Sequence, residues 1–174
     1  YWMEDIFKVI IHEIIHHIGA DLHHIDNSTI HSIDKLIKNK YKSMQHIDLY
    51  INEAYTEALA LHYYCLLMNK DFKLEQEHSI KQTKMFLRVN ECNTLKDFQL
   101  KNNYHEDSHP FSYILLKSAL INCNHVINNI DILSKDKDVL YIAFKKAISN
   151  NIWLRKVEDY KIDTRITKFN MNLT

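Results

Sequence analysis

A mainly helical fold in a single domain is what this sequence predicts, from three observations. The chain has 174 residues, of which 46 % are hydrophobic, the size of one domain with a core of its own. It holds one Gly and one Pro, and β-rich folds need many more turn residues than that. Several stretches repeat apolar residues at three- and four-residue intervals, the period of a helix with one buried face.

The first such stretch is "EDIFKVIIHEIIHHIG". Ile6, Ile10, Ile14 and Ile18 recur at helical spacing, acidic residues open it where the macrodipole favours them, and Gly19 is placed to end it. "NSTIHSIDKLIKNKY" predicts a second helix capped near Asn27 or Ser28. In "IDLYINEAYTEALALHYYCLLM", Ile47, Ile51, Ala54, Ala58, Leu61, Cys65 and Met68 form an alternating three-and-four stripe, whose alanines let another helix approach closely. Further helical patterns cover residues 75–90, 94–103, 111–122 and 136–158. "NNYHEDSHP" reads as a loop, because Pro110 biases His109 away from helical geometry. No repeat or linker divides residues 1–174.

Composition excludes several classes of function. Lys plus Arg equal Asp plus Glu at 22 each, so no charge imbalance points to nucleic acid or an anionic membrane. The only arginines are Arg88, Arg155 and Arg165, few for bidentate phosphate recognition. No apolar run approaches the roughly 18 residues of a membrane span. The opening "YWMED" is acidic where a targeting segment is basic. Cys65, Cys92 and Cys123 are widely spaced and unpaired in pattern, which predicts buried, reduced thiols in a cytoplasmic, reducing compartment. The absence of an initiator Met points to a fragment or a processed chain.

Chemistry concentrates in "FKVIIHEIIHHIGADLHH", where His12 and His16 bracket Glu13 as His-Glu-Ile-Ile-His. Residues four apart share a helix face, so both imidazoles can reach one zinc at about 2.0–2.1 Å. Glu13 lies about a third of a turn round, near enough to touch a zinc-bound water whose pKa the metal lowers to about 7, and to act as general base. A chance match somewhere in a chain with twelve histidines has a probability of roughly 0.04, so context has to carry the motif. Ile14 and Ile15 at its inner positions are expected to bury the helix and leave the histidines facing a cleft. "HEDSH", His105 to His109, matches the same pattern, but its inner Asp and Ser and the following Pro110 do not suit a helix. A catalytic zinc site needs a third protein ligand and an open fourth position. Glu53 and Glu57, four apart beside the apolar stripe of "INEAYTEALA", are the candidates.

HEIIH followed by a helix bearing Asn-Glu-Ala-x-x-Glu resembles the gluzincin metallopeptidases, over residues 7 to 64. The resemblance implies a zincin-like catalytic subdomain, Zn2+ as cofactor, and a peptide or protein as substrate. It implies His12, His16 and Glu53 as ligands, Glu13 as general base, and Glu57 as a carboxylate supporting a ligating histidine. The gap from His16 to Glu53 is longer than in those enzymes, and the β-sheet that precedes their active-site helix is missing from this sequence. Gluzincins recruit a His or Tyr from a later segment to meet the developing oxyanion, and His109 and Tyr113 are the candidates here. "HEIIHHIG" is also similar to the start of the metzincin pattern, which makes His23 an alternative third ligand. His17, His23 and His24 otherwise read as surface residues.

Two rival readings use the same residues. Glu13-x-x-His16 and Glu106-x-x-His109, with Glu53 or Glu57 and with Glu4 or Glu91, are the elements of a di-iron carboxylate bundle. A catalytically inactive zincin-like module would keep the helices without hydrolysis.

Overall fold

A computed structural model describes residues 2–22, 25–102, 104–106, 108–130 and 136–162, with the side chains from residue 6 onward. The chain is mainly helical, and no strand occurs among the described residues. In order come α1 (Trp2–His17), α2 (Asn27–Lys40), a short 3₁₀ turn (Lys42–Met44), α3 (Ile51–Leu67), α4 (Phe72–Val89) and α5 (Leu95–Leu100). A π-helical segment (Phe111–Leu116) runs into α6 (Lys117–Ile121), followed by α7 (Asn124–Ile127), α8 (Lys137–Ile148) and α9 (Asn151–Asp159). No helix of the described residues is long and apolar enough to cross a membrane.

Helix α3 is the axis of the molecule. α1 packs along one side of it, the π-helical segment and α6 along another, and α4 stands beside α6. The expected stripe is buried from Ile47 to Cys65, and Tyr55, Leu59, Ala60 and Tyr64 are buried as well, so α3 has core on nearly every side; Met68 alone of the stripe is exposed. Behind it lie Tyr41, Phe98, Phe111, Phe144 and Trp153, all fully enclosed. The Trp153 indole donates to Ser118 Oγ at 3.0 Å, which keeps a buried N–H satisfied. Cys65, Cys92 and Cys123 are free and buried.

Helix ends follow local chemistry. Asp26 caps α2 by accepting from the Thr29 N–H at 2.8 Å, one position before the expected Asn27 or Ser28. The pattern over 136–158 is divided at Asn150, whose side chain caps α9 by accepting from Ile152 and Trp153. His109 adopts φ 55° just before Pro110, and residues 104–106, 108 and 109 are non-helical.

One expectation fails in an informative way. The Ile6, Ile10, Ile14 and Ile18 stripe does not pack inward; these residues stand 47 to 65 % exposed, with Phe7 and Val9 beside them. The face that meets α3 is the neighbouring one, where Ile15 is 3 % exposed and Ile11 is partly buried. Of the two inner positions of HEIIH, Ile15 buries the helix and Ile14 faces outward. α1 has apolar residues on both faces, and periodicity alone does not select which one packs.

Candidate metal centre

α1 and α3 run antiparallel, so that His16 meets Glu53 while Lys8 and His12 meet Glu57. His12 Nε2 lies 3.0 Å from His16 Nε2 and 3.4 Å from Glu53 Oε2. His16 Nε2 lies 3.4 Å from Glu53 Oε1. Ligands at 2.0–2.1 Å around a tetrahedral zinc sit about 3.3 Å from one another, so this triangle has the size a metal ion requires. Among the described residues, His12, His16 and Glu53 are the one group of His, Cys, Asp and Glu side chains compact enough to hold an ion.

His16 Nδ1 is 2.7 Å from Asp21 Oδ2, and a carboxylate can only accept, so the hydrogen of His16 sits on Nδ1. His16 Nε2 then faces the Glu53 carboxylate and the His12 ring, where either a proton or a metal ion can be held. Converging acceptors repel unless a proton or a cation sits between them. His12 Nδ1 lies 3.1 Å from Glu57 Oε1, an ion-pair distance at which its N–H is not aligned on the oxygen. Each histidine thus has a carboxylate behind it, the arrangement that orients ligating imidazoles and raises their basicity.

Asp21 has no counterpart in the sequence reading, and its position follows from the end of α1. Gly19 takes φ 66°, the Gly19 N–H donates to His16 O at 3.1 Å, and the Ala20 N–H donates to Ile15 O at 3.0 Å. This is a Schellman-type close, and it turns the chain back over the last helical turn. It delivers Asp21, fully buried, beside the imidazole five residues earlier. A Gly just past a helix followed two residues later by Asp was the available signal.

Glu57 is held from three sides. Lys8 Nζ reaches its Oε2 at 3.2 Å and Lys117 Nζ at 3.7 Å, while Oε1 faces His12. Burial pushes the Glu57 carboxyl up, but the Lys8 and Lys117 charges override it and hold it below its ordinary value. Burial in turn lowers the Lys117 ammonium. Neither lysine stood out in the sequence, because each reaches Glu57 from a distant point in the chain.

The other predicted residues divide. Tyr113, on the π-helical segment, donates to Glu53 Oε2 at 3.4 Å. Burial first, and then the nearby Glu53 charge, push its phenol up, so it remains a protonated donor. π-helical turns recur at functional sites, where they re-aim a side chain. His109 stacks on Tyr50 with ring centroids 3.8 Å apart, at the approach to α3. Glu13 is exposed on α1, next in sequence to His12 and open to solvent. His17 is exposed, and His23 and His24 lie outside the described residues.

Glu106, the acid of the second Glu-x-x-His pair, accepts from the Tyr104 hydroxyl at 2.7 Å and from the Phe111 N–H at 3.0 Å. Its carboxylate closes the turn into the π-helical segment, and it is not part of the His12, His16 and Glu53 group. Glu91 is exposed at the end of α4, and the Glu4 side chain lies outside the described set.

Comparison with protein-family models, curated proteins and solved structures finds no match to this chain.

Proposed function

We propose that this chain is the helical, zinc-binding part of a metallopeptidase. The single observation that carries the reading is the convergence of His12 Nε2, His16 Nε2 and the Glu53 carboxylate from two separate helices, with a carboxylate behind each imidazole. The donor set fits zinc: two imidazoles and one carboxylate make three protein ligands, which leaves the fourth tetrahedral position for water or substrate. A zinc ion held there supplies a Lewis acid that acidifies water and polarises a carbonyl.

The chain's own groups carry the remaining steps. Glu13, next to His12 in the chain, takes the proton of the attacking water and passes it to the leaving amine, the role the HEIIH resemblance implies. Asp21 holds the His16 ring in the orientation that offers Nε2, and Glu57 places its charge beside His12 Nδ1. Tyr113 donates a hydrogen bond to the oxygen that becomes negative as the carbonyl is attacked. Peptide bonds are the proposed substrate on the strength of the gluzincin resemblance of HEIIH and the Glu53 helix.

The test is elemental analysis of untagged protein and of four variants, with peptide hydrolysis measured on one of them. One zinc per chain is expected, lost on His12→Ala or His16→Ala and retained on His105→Ala. Glu13→Gln should keep the zinc and lose peptide hydrolysis. Two irons per chain, or a Glu13→Gln protein as active as the parent, would defeat the proposal.

A further inference from the structure

A groove of about 350 Å³ opens against the candidate metal centre, lined by Ile30 from α2 and by Asp48, Leu49, Tyr50, Asn52 and Glu53 at the approach to α3. Glu53 belongs to both, so whatever occupies the groove lies one side chain away from the cluster. We propose that this groove seats the substrate residue flanking the cleaved bond, and that Asp48 selects a Lys or Arg there. This rests on the peptidase reading above and extends it to a substrate class.

Three features of the groove favour a basic side chain. Its walls at Ile30, Leu49 and Tyr50 are apolar or aromatic, the surface along which the methylene stem of a Lys or Arg packs. Asp48 is exposed and held by no ion pair or hydrogen bond among the described residues, so its charge is available to a ligand. Asn52 lines the groove with an amide whose Oδ1 is met by no donor, and a turn of that side chain into the groove would offer the oxygen to a ligand N–H.

Tyr50 offers no side-chain cap to α3, so the first-turn amides leave a partial positive charge of about half a unit at the groove floor. A ligated Glu53 has its charge neutralised by the metal, but Asp48 retains a full negative charge at the rim. The balance is negative, and an anionic side chain is disfavoured. A neutral side chain fits the walls but leaves Asp48 unpaired, which is where the discrimination arises.

The experiment measures binding, so that it does not depend on turnover. Fluorescently labelled six-residue peptides, identical but for one Lys, Arg, norleucine or Glu, are titrated by anisotropy into Glu13→Gln protein with and without one equivalent of zinc. The Lys and Arg peptides should bind on the order of fivefold tighter than the norleucine peptide, the size of one accessible charge pair. The Glu peptide should be weakest. Asp48→Asn should erase the difference between Lys and norleucine while leaving zinc content unchanged. Equal binding of Lys and norleucine peptides, a preference that survives Asp48→Asn, or no binding of any peptide would each overturn the assignment. If the peptides bind as described but protein with Glu13 intact leaves them uncut, the groove stands and the hydrolytic reading falls.

Discussion

Replacing Asp21 with Asn separates a built metal centre from an accidental cluster, because Asp21 touches His16, a proposed ligand, and would not touch the metal. Its carboxylate is fully buried and 2.7 Å from His16 Nδ1, within the range of a charge-assisted hydrogen bond. Asn keeps the volume and one acceptor oxygen, so the fold is preserved and the lost quantity is the charge behind the imidazole. Losing such a partner lowers metal affinity by about 10- to 100-fold, or roughly 1.4 to 2.8 kcal/mol. The lower end applies here, because part of the contact exists before any ion arrives. Glu57→Gln should cost less. The Glu57 charge is already shared with Lys8 and Lys117, and the His12 N–H is not aligned on it. Competition for zinc against a chromophoric chelator, at fixed pH and ionic strength, gives both dissociation constants, and melting of the zinc-free proteins controls for the fold. An Asp21→Asn protein with parental zinc affinity, or a Glu57→Gln protein affected more strongly than Asp21→Asn, would refute the reasoning.

Two further outcomes concern the phenol beside Glu53 and the cap of α2. Tyr113→Phe should leave zinc affinity within about twofold while lowering kcat for peptide hydrolysis about 100- to 1,000-fold, as expected for loss of one oxyanion donor; unchanged steady-state rates would remove Tyr113 from the site. Asp26 has its carboxyl held well below the usual range, by the Ser28 hydroxyl first and then the Thr29 N–H. A carboxyl lowered on folding stabilises the native state above its unfolded pKa near 3.8, and that contribution disappears as pH falls through the folded value. Thermal melts of Asp26→Asn against the parent should therefore differ at neutral pH and converge in strong acid, and a gap that widened below pH 3.8 would contradict the cap.

The parts of the centre visible in the sequence are those governed by helix periodicity. His12 and His16 are four apart, as are Glu53 and Glu57, and one helix face is all that their roles require. Asp21 depends on how the chain leaves α1, which a single glycine decides through a left-handed turn. Lys8 and Lys117 depend on which helices pack together, information that is not local. The inner and outer faces of α1 illustrate the same limit. Ile11 and Ile15 form one apolar line and Ile6, Ile10, Ile14 and Ile18 another, and the two are equally helical in period. The π-helical turn that carries Tyr113 has no pattern of its own in "FSYILL".

That two-sided α1 bears on the molecule's internal motion. α3 is enclosed on nearly every side, whereas α1 is gripped along one flank and carries bare isoleucines on the other. Opening α1 away from the body exposes far less new apolar surface than opening α3, so α1 amides should exchange with solvent from a lower-energy partly open state. Both histidines ride on the loosely held helix and Glu53 on the tightly held one. An ion bridging them would fasten α1 to α3, and every factor of ten in zinc concentration above its Kd would add about 1.4 kcal/mol to the energy of that opening.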